Sequence, residues 1–158
     1  ASAPTPTPPS PSAPAPRPLG KGAPASGGSG GMLWPVAGGT LSSRFGPRGG
    51  RPHEGIDIAA PAGSAVRAAA AGVVIYAGAG IRGYGNLVIV RHRRLVTVYA
   101  HNRKNLVRRG TRVARGDVVA EVGSSGRATG NHLHFEVRVG ETPRDPLRYV
   151  QPAGGAAK

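Results

Sequence analysis

The chain has 158 residues, with 21 Lys and Arg against 7 Asp and Glu for a net charge of +14, no cysteine, and only 4% aromatic residues. That length leaves room for one folded domain beside a low-complexity start, a domain able to bury somewhat under about 70% of its unfolded surface. The missing cysteines exclude a disulfide framework and a thiolate metal site, and no apolar run approaches the roughly 20 residues that a membrane-spanning helix needs.

Residues 1–31 hold nine of the 16 prolines and no acidic residue. With almost no large apolar side chain they cannot bury enough surface to offset chain entropy, so disorder is expected. As polyproline II from Pro4 to Pro24 they would reach roughly 60 Å at about 3.1 Å per residue, which suits a spacer or a bare linker of a longer protein. The chain begins at Ala1 without Met and shows no charged-then-apolar leader, as expected of a processed or excised segment. A disordered tail is expected at 151–158.

From Met32 to Val150 the patterning is β throughout. Short runs at Gly72–Ala77, Leu87–Val90, Val96–His101 and Asp117–Val122 alternate with glycine turns, and no long amphipathic segment of 3.6 period occurs. Gly72-Val73-Val74 ahead of Gly78 and Asp117-Val118-Val119 ahead of Gly123 form a faint internal repeat. The expected fold is mainly β, an antiparallel sandwich-like core of short strands.

The chemistry concentrates in two of these stretches. In Asn131–Val137 strict alternation puts His132, His134, Glu136 and Arg138 on one face of a strand, and Leu133, Phe135, Val137 and Val139 on the other, buried face. Two strand positions separate the histidine backbones by roughly 7 Å. Both imidazoles can then reach one ion, or one can bind it while its neighbour serves the chemistry; spacing leaves that choice open. In Pro52–Ile58, His53 and Asp57 share a parity and can converge from one extended segment. A helical zinc motif of the His-Glu-x-x-His kind fails here, because position 57 is Asp and Gly55 lies between Pro52 and Pro61. Glu54 is then a surface carboxylate beside Arg51 and not a general base.

His53, Asp57 and one of His132 or His134 supply two imidazoles and a carboxylate. Such a set holds one Zn²⁺ and leaves the fourth tetrahedral position to water, the arrangement of a catalytic site. The ion lowers the pKa of that water toward about 7 and polarises a carbonyl, which opens amide hydrolysis near neutral pH. His101, expected where a strand runs into a loop, can orient the water, accept its proton or stabilise the tetrahedral intermediate. His92 shares a face with Val88 and Val90 and reads as a structural histidine bonded to a backbone group. Tyr84, between two glycines, lines a groove or caps the core.

From Trp34 to Tyr149 the chain resembles the lysostaphin-type zinc metallopeptidases, which cut peptide cross-links in bacterial peptidoglycan. The resemblance rests on Ser43-Arg44-Phe45-Gly46, His53-Glu54-Gly55-Ile56-Asp57-Ile58, Ala71-Gly72-Val73-Val74, Gly83-Tyr84-Gly85-Asn86, Tyr99-Ala100-His101, Gly116-Asp117 and Thr129-Gly130-Asn131-His132-Leu133-His134-Phe135-Glu136-Val137. It implies that His53, Asp57 and His134 bind the zinc and that His132 and His101 are the catalytic histidines. It also sharpens the fold to the duplicated hybrid motif and makes residues 32–150 a zinc metallopeptidase domain acting outside the cytoplasm, in the periplasm, the cell envelope or as a secreted protein. Asn102 stands where the family usually has Leu, and Asn131 where Pro is commonest, which leaves the ligands intact and bears on the shape of the groove. Many members of the family have lost ligands and act as non-hydrolytic amidase regulators. A silent wall-binding or activating module is therefore the alternative that the complete ligand set here argues against.

The charge of +14 attracts polyanions over a screening length of about 8 Å. Eighteen of the 21 cationic residues are Arg, and with few aromatics and no recognisable nucleic-acid module the expected partners are peptidoglycan and anionic envelope polymers, not nucleic acid.

Overall fold

The computed structural model describes residues 32–47, 52–126 and 130–150. The expected linker 1–31, the tail 151–158 and Arg51 lie outside the described residues. The described residues form ten strands, all paired antiparallel: β1 (Thr40–Ser43), β2 (Ile56–Ala59), β3 (Ala65–Arg67), β4 (Gly72–Gly78), β5 (Asn86–Arg91), β6 (Val96–Asn105), β7 (Arg112–Val113), β8 (Val118–Val122), β9 (His132–Val139) and β10 (Thr142–Arg144). A 3₁₀ turn, Pro146–Arg148, is capped by the Asp145 carboxylate, which accepts from Leu147 N–H at 3.0 Å. The mainly β antiparallel expectation holds.

The main path of the sheet runs β1-β2-β9-β6-β5-β4-β7, with β10 on the end of β9 and β8 linking β6 to β3. Strand β6 makes this possible by changing partner on one edge. Its Val96–Ala100 half pairs with β9 and its Asn102–Asn105 part with β8. The change falls at His101, whose φ of 66° makes it the one non-glycine with positive φ among the described residues. His101 therefore does not end the strand, as the sequence suggested; β6 runs on to Asn105. A local kink lets one strand serve two partners, as bulges do at sheet corners.

Side-chain parity divides the sheet into two faces. On one, Ile56, Ile58, Leu133, Phe135, Val137, Val88, Val90 and Tyr99 join Val66, Val119 and Ala120 of the β3–β8 ribbon in the main core, closed with Trp34, Val36 and Val150. Each large apolar side chain buried there contributes roughly 1.5–3 kcal/mol. The core contains one polar chain. Ala69 N–H donates to the Tyr99 hydroxyl (2.9 Å), which bonds Thr97 Oγ1 (2.8 Å), which meets His92 Nε2 (2.9 Å). His92 Nδ1–H donates to the Ala71 carbonyl at 2.7 Å, the structural role expected of it. On the opposite face a small cluster of Leu87, Val98 and Ala100, backed by Tyr76, Tyr84 and Ile89, floors a polar region. There the register sets Asp57 opposite His134, His134 opposite Ala100, and Glu136 opposite Val98.

Candidate metal centre

Strand β9 forms because its odd-numbered positions are large and apolar; that same alternation delivers His132, His134 and Glu136 to the open face. Strand β2 lies beside it and contributes Asp57. His53 precedes β2 in an isolated bridge with Gly46, closed by His53 N–H to Gly46 O (2.8 Å) and Gly46 N–H to His53 O (3.0 Å). It thus reaches Asp57 from a kink and not from one continuous strand. Gly55 permits the kink, since a Cβ there would collide with the Phe135 carbonyl oxygen and lie 2.8 Å from Glu136 Cγ.

Asp57 Oδ1 is the meeting point. It lies 3.0 Å from His134 Nδ1, 3.3 Å from His53 Nε2 and 3.6 Å from His132 Nε2. Ligand atoms of His53, Asp57 and His134 all fall within 4.8 Å of one another, a spacing that can hold one metal ion. His132 and His101 stand at the rim, their ring centroids 5.1 Å apart, with His101 5.8 Å from His134. All five residues singled out in the sequence therefore converge.

Backbone carbonyls set the tautomers, because a carbonyl can only accept. His53 Nδ1–H donates to Arg44 O (2.9 Å), His132 Nδ1–H to Gly130 O (3.0 Å) and His101 Nδ1–H to Ser125 O (2.8 Å). Each ring consequently turns an Nε2 lone pair inward. His134 is reversed: Nε2–H donates to Glu136 Oε2 at 2.8 Å and Nδ1 faces Asp57. Burial alone would lower the His134 pKa, but its bonds to Asp57 and Glu136 outweigh it and push it up to about 9. Burial alone would raise Asp57, and the bond and charge of His134, then His53 and His132, hold it below the usual range. His101 is pushed down by burial, against the pull of the Ser125 carbonyl and with the help of its neighbouring imidazoles, which keeps it neutral.

Three further groups belong to this centre. Glu136 is fully buried, accepts from His134 and from the Tyr84 hydroxyl (2.8 Å) on Oε2, and takes Arg138 Nε–H on Oε1 at 2.6 Å. Parity had placed it on the histidine face, but nothing in the sequence marked its bonds. Arg138 Nη2–H reaches Glu54 at 2.8 Å, so Glu54 is a surface carboxylate whose partner among the described residues is Arg138. Asn102 is buried behind His101. Its Nδ2 donates to Tyr99 O (3.0 Å) and Asn105 Oδ1 (2.9 Å), and its backbone carbonyl accepts from Ser125 Oγ–H (2.7 Å) and Asn86 Nδ2–H (2.9 Å). The asparagine side chain thus ties together the Tyr99–Asn105 stretch of β6, while the Ser125 hydroxyl is held by the backbone carbonyl of residue 102, a bond that does not depend on the side chain there.

An antiparallel β core carrying a His/Asp/His donor cluster on its open face, with two more imidazoles at the rim, is the design of the lysostaphin-type peptidases. Residues 51–146 match the model of peptidase family M23, and the chain belongs to that family. It is 48% identical over 122 residues to the lipoprotein NlpD/LppB homolog of Pseudomonas aeruginosa, a match covering 77% of this chain and 40% of that protein. It is 42% identical over 118 residues to the murein hydrolase activator NlpD of Escherichia coli, covering 74% of this chain and 30% of the relative. The chain thus spans less than half the length of either relative. The catalytic domain of the antimicrobial peptidase lysostaphin from Staphylococcus simulans matches with a TM-score of 0.67 at 29% identity, over 70% of this chain and 91% of that domain. No helix among the described residues is long and apolar enough to cross a membrane.

Proposed function

We propose that this chain is a zinc-dependent endopeptidase that hydrolyses peptide cross-links or stem peptides of bacterial peptidoglycan, and that it works outside the cytoplasm. The convergence of His53, Asp57 and His134 within 4.8 Å carries the reading. Two imidazole nitrogens and a carboxylate oxygen, in a chain without thiols, fit Zn²⁺ with a coordination place left over. His53 would bind through Nε2, because its Nδ1–H is committed to Arg44, and His134 through Nδ1, because its Nε2–H is committed to Glu136. When bound, Zn²⁺ supplies Lewis acidity, which acidifies water and polarises the scissile carbonyl. Neutral His101 takes the proton of the attacking water at Nε2 and passes it to the departing amine. His132, once protonated at Nε2, donates a hydrogen bond to the oxyanion of the tetrahedral intermediate. Tight carbonyl anchors on both Nδ1 atoms keep the two rings oriented for those transfers.

The alternative is a catalytically silent wall-binding or amidase-activating module, which the name of the Escherichia coli relative favours. Such a module needs no ion, and the complete set of donors supports hydrolysis instead. Purified muropeptides of known cross-link, digested and read by mass spectrometry, separate the two. The enzyme yields new amino termini that vanish with a chelator and in His134→Ala, whereas zinc-loaded protein that cuts no muropeptide leaves the silent module.

The attraction to anionic envelope polymers that the charge leads one to expect is supported by one edge of the sheet. Exposed Arg91 lies directly opposite Val73, and Val73 opposite exposed Arg112, which puts both guanidiniums on one face of the β5-β4-β7 edge. Neither has a carboxylate partner among the described residues.

A further inference from the structure

We infer that Glu136 and Tyr84 are positioning residues for the metal centre: a buried anion, held in place by a tyrosine hydroxyl, fixes the ring and donor strength of His134. The inference rests on His134 being a zinc ligand. A carboxylate buried in this sheet costs free energy unless it is paired and hydrogen-bonded on both oxygens. Glu136 finds three: His134 Nε2–H and Tyr84 O–H at 2.8 Å each on Oε2, and Arg138 Nε–H at 2.6 Å on Oε1. With both oxygens engaged, the carboxylate cannot rotate away from the imidazole. An anionic acceptor on one ring nitrogen locks the tautomer and strengthens the other nitrogen as a donor, here Nδ1, which faces Asp57.

Tyr84 is itself fixed from behind. Its carbonyl accepts His101 N–H at 2.9 Å, at the residue whose φ is 66°. Gly85, at φ 65°, lies so close to Ser125 and Gly126 that a Cβ would sit 2.6 Å from Gly126 N. The Ser125 carbonyl in turn orients His101. One short turn thereby fixes the backbone of the proton-handling histidine and, through its hydroxyl, the ring of the metal-holding one. The Tyr84 ring also lies beside the imidazole, with its centroid 6.0 Å from that of His134.

Zinc affinity, measured by competition with a chromogenic chelator, tests the assignment on four proteins: wild type, Glu136→Gln, Tyr84→Phe and, as control, Tyr76→Phe, whose hydroxyl bonds Gly80 N–H away from the site. Metal-free melting is recorded alongside. Glu136→Gln keeps an acceptor but removes the charge, and zinc binding should weaken 10- to 100-fold. Tyr84→Phe keeps the charge and frees its orientation, and should lose a smaller factor, while Tyr76→Phe binds as wild type does. The visible spectrum of the Co²⁺ form should shift in both site variants, which mere loss of stability would not produce. If Glu136→Gln fails to fold, Tyr84→Phe decides. Wild-type affinity and an unchanged Co²⁺ spectrum in the site variants, or an equal loss in Tyr76→Phe, overturns the inference while leaving the metal site standing. A wild-type protein that takes up no zinc overturns both.

Discussion

Gly55→Ala tests the packing that aligns the site. The backbone at Gly55 lies outside the left-handed region, so alanine meets no conformational penalty there, only a collision. The new Cβ would stand 2.8 Å from Glu136 Cγ, short of the 3.4 Å at which ordinary contact begins, and closer still to the Phe135 carbonyl oxygen, a backbone atom that cannot swing aside. The 53–57 segment must therefore retreat from β9 by about half an ångström or more, at a cost of about 1–3 kcal/mol typical of overpacking. His53 and Asp57 flank Gly55 on either side and retreat together from His134. Metal sites tolerate only about 0.2 Å in their bond lengths, so zinc affinity should fall at least about tenfold, in keeping with the large effect of sub-ångström misplacement on a preorganised site. Gly38→Ala is the control. Its Cβ meets nothing within 4 Å but its φ is 77°, so it should cost about 1–2 kcal/mol of stability and leave zinc binding unchanged. Calorimetric melting and chelator competition on both variants check the pair. Gly55→Ala binding zinc like wild type would refute the claim that this close approach sets the ligand geometry.

Other outcomes follow from the same contacts. Tyr99→Phe strands the buried Ala69 N–H and should cost about 1–3 kcal/mol in urea unfolding with zinc affinity unchanged. His92, whose pKa burial holds below the free value against the pull of the Ala71 carbonyl, stays neutral in the folded chain while the unfolded chain takes up a proton below about pH 6.5. Its contribution is therefore present above that pH and lost as pH falls toward the folded value. His92→Gln should show a smaller drop in stability than wild type between about pH 7.5 and about pH 5.5. Arg91→Glu with Arg112→Glu should weaken binding to polyphosphate and flatten its salt dependence by roughly two phosphate contacts, more than the same charge change at Arg67 and Arg115. Equal losses would place the attraction in net charge and not in the β5-β4-β7 edge.

How much was legible in the sequence depended on whether a signal was local. The alternation of β9 sets both faces of the strand, and its histidines do lie on the open face beside Asp57, because a period of two survives any tertiary context that buries one side. His53 and Asp57 were found by the same parity, although His53 reaches the site through an isolated bridge and a kink, which depends on how closely Gly55 approaches β9. The run Val96–His101 reads as a strand that ends at His101, whereas β6 continues to Asn105. The positive φ of His101 arises from the exchange of β9 for β8 as the partner of β6, and pairing between distant strands leaves no mark in Val96–His101 itself. Parity puts Glu136 on the histidine face without giving it a role, and the glycines around Tyr84 do not choose between groove and core, since the bond between the two joins residues 52 apart in the chain. Glu54 was rightly set on the surface, yet its partner is Arg138, brought in from β9.

Zinc-edge anomalous diffraction from crystals of the zinc-loaded protein decides whether His53, Asp57 and His134 hold one ion. One strong peak is expected in bonding contact with His53 Nε2, an Asp57 carboxylate oxygen and His134 Nδ1, with His101 and His132 beside it but outside bonding distance. A peak coordinated by His132 in place of His134, or zinc held anywhere but at these three residues, would contradict this assignment.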